Sequence, residues 1–180
     1  MTHSSLKVGI VTVSDRASRG EYEDRGGPAI RDWLDRAITS DWNAEVRLVP
    51  DELPTLAQTL RELVDEAGCQ LVLTTGGTGP AARDITPEAT LEVADKVLDG
   101  FGEKMRAISL QYVPTAILSR QVGVIRKQAL IVNLPGNPKA VAEILDELFE
   151  VIPYTIELLE GPRIQCDPEV VVPFRPKHAK

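Results

Sequence analysis

Aromatic side chains make up only 4% of the 180 residues, and cysteine, histidine and methionine number two each. So few aromatics leave no platform on which nucleic-acid bases could stack, and the core must rest on Val, Ile, Leu and Ala, which suits a parallel sheet covered on both faces. Cys69 and Cys166 lie far apart, with no CxxC or Cys/His metal spacing, so a disulfide framework and a zinc site are poor readings and a reducing compartment is expected. His3 and His178 sit near the termini and suit neither a catalytic base nor a metal ligand. There is no basic stripe either: the net charge is −7 and the pI about 4.9, which disfavours long nucleic acid as a partner. A small phosphorylated ligand stays open, because backbone amides, a few Arg or Lys and carboxylate-held Mg²⁺ can bind one in an acidic protein. No apolar run approaches the ~18 residues of a membrane span, and Met1 to Lys7 lacks the features of a signal peptide, so no membrane and a cytoplasmic location are expected. Three motifs are missing as well. No Lys follows the glycines as in GxxxxGK[ST], Gly76-Gly77-Thr78-Gly79 does not fit GxGxxG, and Ser14 and Ser119 lack the GxSxG elbow. P-loop, dinucleotide-dehydrogenase and serine-hydrolase chemistry are thereby disfavoured.

What is present alternates between short apolar runs and amphipathic segments. Val8 to Val13, Val46 to Val49, Leu71 to Thr75 and Leu130 to Val132 read as buried strands, with a further short strand expected near Val122 to Ile125. Helices are expected from Pro28, with Ile30, Trp33, Leu34 and Ala37 on one face, from Pro54, over Thr86 to Val97, over Gly102 to Tyr112, and from Pro138 after an Asn137 cap. Pro153 breaks or kinks that last helix, Gly161-Pro162 stops it, and the tail from about Arg163 reads as extended. The alternation predicts a doubly wound three-layer α/β sandwich with a mostly parallel sheet, in one domain over residues 1–180. In such sheets ligands bind beyond the carboxyl ends of the strands. Four polar segments fall there: Ser14-Asp15, Pro50-Asp51, Thr74 to Gly79 and Asn133 to Asn137.

The richest of the four is Thr74-Thr75-Gly76-Gly77-Thr78-Gly79-Pro80, followed by Arg83-Asp84 and Thr86-Pro87-Glu88. A strand feeding glycines and hydroxyls and then a helix start is anion-binding architecture, because the backbone can bring N–H groups close to a phosphate. Asp51 and Asp84, each beside a strand end, are hard oxygen ligands suited to Mg²⁺, and the combination fits phosphoryl or nucleotidyl transfer. Taken singly, Asp51 fits a plain turn residue and Asp84 a local cap, and Asn133 to Pro138 fits a well-capped helix entrance.

Ser14-Asp15-Arg16, Thr75 to Gly79 with Arg83 to Thr90, Leu118-Ser119-Arg120, and Asn133-Leu134-Pro135-Gly136-Asn137-Pro138 together resemble the MogA/MoaB family of molybdenum-cofactor biosynthesis, its MogA branch above all. The resemblance runs from about residue 6 to residue 162. It implies a usually trimeric α/β domain that uses Mg²⁺ and ATP to adenylylate molybdopterin, releasing pyrophosphate, with possible handover of the product to the molybdate-inserting enzyme. It further implies that Asp51 and Asp84 are the catalytic acids and Mg²⁺ ligands, and that Thr75, Gly76, Gly77, Thr78 and Gly79 cradle the ligand. Ser14, Asp15, Ser119, Asn133, Pro135, Gly136 and Asn137 would line the same pocket, and Arg83 and Arg120 would neutralise phosphate charge. Some relatives carry an insertion before the segment matching Val151 to Pro162, which this chain passes through directly. A molybdopterin carrier without catalysis is the competing expectation. A molybdate-inserting enzyme ranks last, since the chain is too short for that family's additional domains.

Overall fold

Three strands whose residues are apolar on both faces form the centre of the sheet, and the computed structural model describes residues 5–178; His3 lies outside them. Leu6–Val13 (β1), Leu71–Thr75 (β3) and Ala129–Leu134 (β6) are almost wholly buried. Trp42–Val49 (β2) lies on one edge and Gly123–Arg126 (β5) and Lys96–Val97 (β4) on the other, giving the order β2-β1-β3-β6-β5-β4. The pairs β1–β2, β1–β3 and β3–β6 are parallel, and β5 runs antiparallel to both of its neighbours.

Successive residues of each central strand point to opposite faces, and helices cover both. Ile10, Leu73 and Val132 pack with Gly26–Ala37 (α2), Asp99–Leu110 (α5), Pro138–Leu148 (α6) and Ile152–Leu158 (α7). Val11, Val72 and Ile131 pack with Leu53–Arg61 (α3) and Thr86–Glu92 (α4) on the other face. The expected three-layer, mostly parallel sandwich is the observed fold. On the first face Trp33 meets Phe149 at 4.9 Å between ring centroids and donates its indole N–H to Asp146 at 2.8 Å.

Several boundaries differ from the sequence expectation. The helix expected over Thr86 to Val97 ends at Glu92, and Lys96–Val97 becomes an edge strand. Its flanks are held by Asp95 N–H to Ile125 O and Leu98 N–H to Gly123 O, both 2.8 Å, so cross-strand bonds replace another helical turn. The strand expected from Val46 begins at Trp42, because an edge strand with half-exposed polar residues carries little apolar signal. The helix expected from Pro28 begins at Gly26, where the Asp24 carboxylate accepts from Gly27 N–H at 3.1 Å. A four-residue helix, Asp15–Ser18 (α1), stands where the sequence after β1 reads as a loop, and α3 continues as a π-helical turn over Glu62–Glu66. The chain does break at Pro153: α6 passes through a 3₁₀ turn, Phe149–Val151, into α7. Among the described residues the tail forms no strand beyond a bridge between Cys166 and Ile38, yet Ile164 and Val171 are buried against the core.

Candidate active site

Because β2, β1, β3 and β6 are adjacent and parallel, their carboxyl ends bring Pro50-Asp51, Ser14-Asp15, Thr75 to Gly79 and Pro135 to Asn137 to one rim of the sheet. The chain leaves β1 first for β2 on one side and then for β3 on the other, so this rim carries the topological switch point.

Asp15 and Asp51 lock the first two loops together. Asp15 N–H donates to the Asp51 carboxylate at 2.8 Å and Asp51 N–H donates to the Asp15 carboxylate at 2.9 Å. Arg83 pairs bidentately with Asp15, one N–H···O distance being 2.8 Å, and holds the Asp15 carboxyl below its ordinary range. Asp51 moves the other way. Partial burial raises its pKa, and the negative charges of Asp15 and Asp84 add to the rise, against the amide of Asp15 and the cation of Arg83. The result is one firmly ionised acid beside one that holds its proton more readily.

The glycine loop needs its glycines for two reasons. Gly76 and Gly77 have φ of +96° and +67°, and a Cβ on Gly76 would overlap the Val13 carbonyl oxygen. At Gly77 a Cβ would overlap the Thr86 hydroxyl and stand 3.1 Å from Asp51 Oδ1, so the Asp51 carboxylate faces the loop directly. Asp84 faces it from the other end, its Oδ2 lying 2.8 Å from where a Gly79 Cβ would sit while accepting from Ala81 N–H at 3.0 Å. Beneath the loop, Thr86 donates its hydroxyl to Gly76 O at 2.9 Å, Thr90 donates to Thr86 O at 2.8 Å, and the Asn133 amide donates to the hydroxyls of Thr74 and Thr90 at 3.1 and 2.9 Å. These buried polar groups satisfy one another and hold the loop rigidly from below.

Arg120 holds the loop from the side. Its backbone N–H donates to Thr78 O at 2.9 Å, and its guanidinium donates to Gly79 O at 2.8 Å and Asp84 O at 2.7 Å while pairing with Glu88, whose carboxyl it keeps below the usual range. That guanidinium is occupied by the loop and positions Asp84. Asn133 is likewise engaged below the rim, and neither of the two cavities that meet the loop has it on its wall. Thr75 donates to Pro135 O at 2.7 Å, and Gly136 packs its backbone against Gly76. Ser14 caps α1 through Ala17 N–H at 3.1 Å, and Asn137 caps α6 through Lys139 N–H at 2.9 Å.

One cavity, of about 150 Å³, is walled by Ser14, Thr75, Gly76 and Gly136 together with Asp24. The other, of about 630 Å³, is walled by Thr78, Gly79, Ser119, Pro135 and Asn137 together with Lys139. The sequence reading missed Thr86, which carries the loop; Asp24, whose spacing before Gly27 and Pro28 is that of a helix cap; and Lys139, in the first turn after the Asn137 cap. No group of three or more His, Cys, Asp or Glu stands ready to hold a metal among the described residues. Asp51 and Asp84, facing one loop from two ends, fit instead the pattern in which Mg²⁺ takes one or two carboxylates and completes its shell with substrate phosphates and water.

Residues 9–154 match the family described as "Probable molybdopterin binding domain". The molybdopterin adenylyltransferase of Escherichia coli K12 is 57% identical, over 98% of this chain and 97% of the relative, and that of Haemophilus influenzae is 55% identical, over 97% and 95%. Among solved structures, the molybdopterin biosynthesis enzyme MoaB of Thermus thermophilus superposes with a TM-score of 0.80 at 42% identity, covering 88% of this chain and 99% of that one. The molybdopterin biosynthesis Mog protein of Mycobacterium ulcerans gives 0.78 at 37% identity, covering 86% and 99%. With the fold, the rim of polar loops and these relatives in agreement, the chain belongs to the MogA/MoaB family of molybdenum-cofactor biosynthesis.

Proposed function

We propose that this chain is a molybdopterin adenylyltransferase: it transfers AMP from ATP to the terminal phosphate of molybdopterin and releases pyrophosphate. The observation that carries the reading is the pair Asp51 and Asp84 facing the Gly76–Gly79 loop from opposite ends, where phosphates can approach bare backbone. An oxygen of the molybdopterin phosphate attacks the α-phosphorus of ATP, and the bond from that phosphorus to the bridging oxygen of pyrophosphate breaks. No protein nucleophile takes part, so the chain contributes position and charge. Gly76 to Gly79 admit the phosphates, the threonine network fixes the loop, and Arg120 holds Asp84 in register. Asp51 and Asp84 would hold Mg²⁺, which when bound supplies charge neutralisation at the phosphates. Arg83 and Lys139, both exposed at the rim, are the cations placed to meet phosphate charge from the protein side. A single domain over residues 1–180, a homotrimer working in the cytoplasm, and handover to the molybdate-inserting enzyme complete the reading. Its test is incubation of the purified protein with molybdopterin, ATP and Mg²⁺, followed by mass spectrometry for adenylylated molybdopterin and pyrophosphate. Product that vanishes in Asp51→Asn and Asp84→Asn supports the reading; tight pterin binding with no product from the unaltered protein replaces it with a carrier.

A further inference from the structure

The two edges of the sheet are built differently. β4 is two residues long and begins with Lys96, and short edges with lysine are a common protection against pairing with another chain. β2 runs for eight residues, without proline and in unbroken register with β1, and its outer side has no partner among the described residues. The direction of its backbone groups follows from its hydrogen bonds. Leu6 N–H donates to Asp41 O at 3.2 Å and Ser14 N–H to Val49 O at 2.9 Å, so the odd-numbered residues bond β1. By alternation, Trp42, Ala44, Val46 and Leu48 turn their N–H and C=O groups outward. The same alternation sorts the side chains. Ala44, Val46 and Leu48 share one face, where Val46 is 54% and Leu48 43% exposed. Glu45 and Arg47 share the other, their head groups 3.4 Å apart, and the Arg47 guanidinium donates to Val46 O at 2.9 Å, which places a cation at the free edge.

We propose that β2 pairs antiparallel with β2 of a second copy of this chain, about a two-fold axis at Val46, joining two sheets into one. Such an isologous contact sets residue 46 opposite itself and residues 45 and 47 opposite each other. Val46 then meets Val46, and Ala44 meets Leu48, as hydrogen-bonded pairs through the outward N–H and C=O groups, and the exposed apolar stripe is covered by its own copy. On the other face Glu45 meets Arg47 twice, once from each chain, as directly opposed unlike charges. The Arg47 guanidinium leaves Val46 O for Glu45 of the second copy, and the Val46 N–H of that copy takes its place on the carbonyl. Centring the axis one residue to either side sets Glu45 against Glu45 or Arg47 against Arg47, so the charges select the register. Within one chain Glu45 and Arg47 pair with each other, and across the axis each keeps a partner of opposite charge. The inference is independent of the adenylyltransferase reading. If the chain forms the homotrimer of that reading, the pairing joins two trimers.

Sedimentation velocity of the full chain over a range of concentrations tests the pairing. The unaltered protein should reach the mass of an even number of copies. Glu45→Lys and Arg47→Glu each turn both cross-axis contacts into like charges. Either alone should raise the dissociation constant of the pairing about tenfold or more and halve the mass at the same concentration. Mixed one to one, the two variants should pair with each other, because position 45 of each then faces an opposite charge at position 47 of the other. The dissociation constant of that mixture should return to within about fivefold of the unaltered one. Val46→Pro removes an outward N–H and no bond to β1, so it should also halve the mass, with the far-ultraviolet circular dichroism unchanged. The inference is overturned by an unaltered protein that stays at an odd number of copies throughout, by single charge variants that hold its full mass, or by a mixture that stays at half mass.

Discussion

An apolar cavity and the candidate active site lie on different parts of the molecule, and they differ in kind. The apolar cavity, of about 780 Å³, runs between the start of α5 and α7 and is lined chiefly by apolar residues such as Leu98, Phe101 and Leu158. At the strand ends the cavities are smaller, but two carboxylates, a loop with positive φ and a buried threonine–asparagine network converge there. Volume measures how much surface a ligand can bury, whereas transfer chemistry needs polar groups fixed in position before the ligand arrives. Bare backbone and aimed carboxylates therefore mark the chemical end of this sheet, and size does not.

The largest contrast is expected from glycine. Gly77→Ala forces a Cβ onto the Thr86 hydroxyl at a left-handed φ and should cost about 1–3 kcal/mol of stability along with nearly all turnover, read by urea unfolding and product formation. Gly100→Ala, beside the apolar cavity with nothing within 4 Å of the new methyl, should leave both intact; equal damage from the two would erase the distinction between the regions. Next come the acids. Asp84→Asn and Asp51→Asn should each lower turnover by about 10²- to 10³-fold while molybdopterin affinity changes little, the signature of charge that acts at the transition state.

Arg120→Lys keeps the charge but loses the fork that reaches Gly79 O and Asp84 O, so about a tenfold loss of turnover with an unchanged KM for ATP is expected. An increase in KM for ATP alone would make Arg120 a phosphate contact. The pH response is smaller and has a definite sign. Asp51 titrates above its ordinary value of 3.8, so turnover that needs its carboxylate should fall, as pH drops, before an ordinary aspartate would protonate. Arg83→Gln removes a cation that lowers the Asp51 pKa and should move that acid limb to higher pH; a limb that stays put separates Asp51 from the rate. Least of all should follow from Leu158→Ser, on a side chain 64% exposed at the apolar cavity: stability within about 0.5 kcal/mol and turnover unchanged.

Much of this contrast was legible from residue order. Val8 to Val13, Leu71 to Thr75 and Leu130 to Val132 are β-branched and apolar on both faces, so they announced central strands. The edges were not so clear. Trp42 to Glu45 in β2 and Lys96–Val97 in β4 are partly or wholly exposed, and only their neighbours' unpaired backbone groups make them strands. Asp51 and Asp84 could be named as candidates from their places beside strand ends, but the roles of Arg120 and Asn133 could not. A guanidinium reads alike in sequence whether it meets phosphate or its own loop's carbonyls, and an amide alike whether it faces a pocket or two buried hydroxyls.

By itself the sequence determined the layered α/β class, the glycine loop after the third strand and the family, because hydrophobic period and glycine placement are local properties of the chain. Only the tertiary structure decided that the four strand ends share one rim, that Thr86 and Arg120 hold the loop, and that Asn133 is engaged with two buried hydroxyls beneath it. Those facts depend on strand order and on which distant residues pack together, and local periodicity carries no record of either.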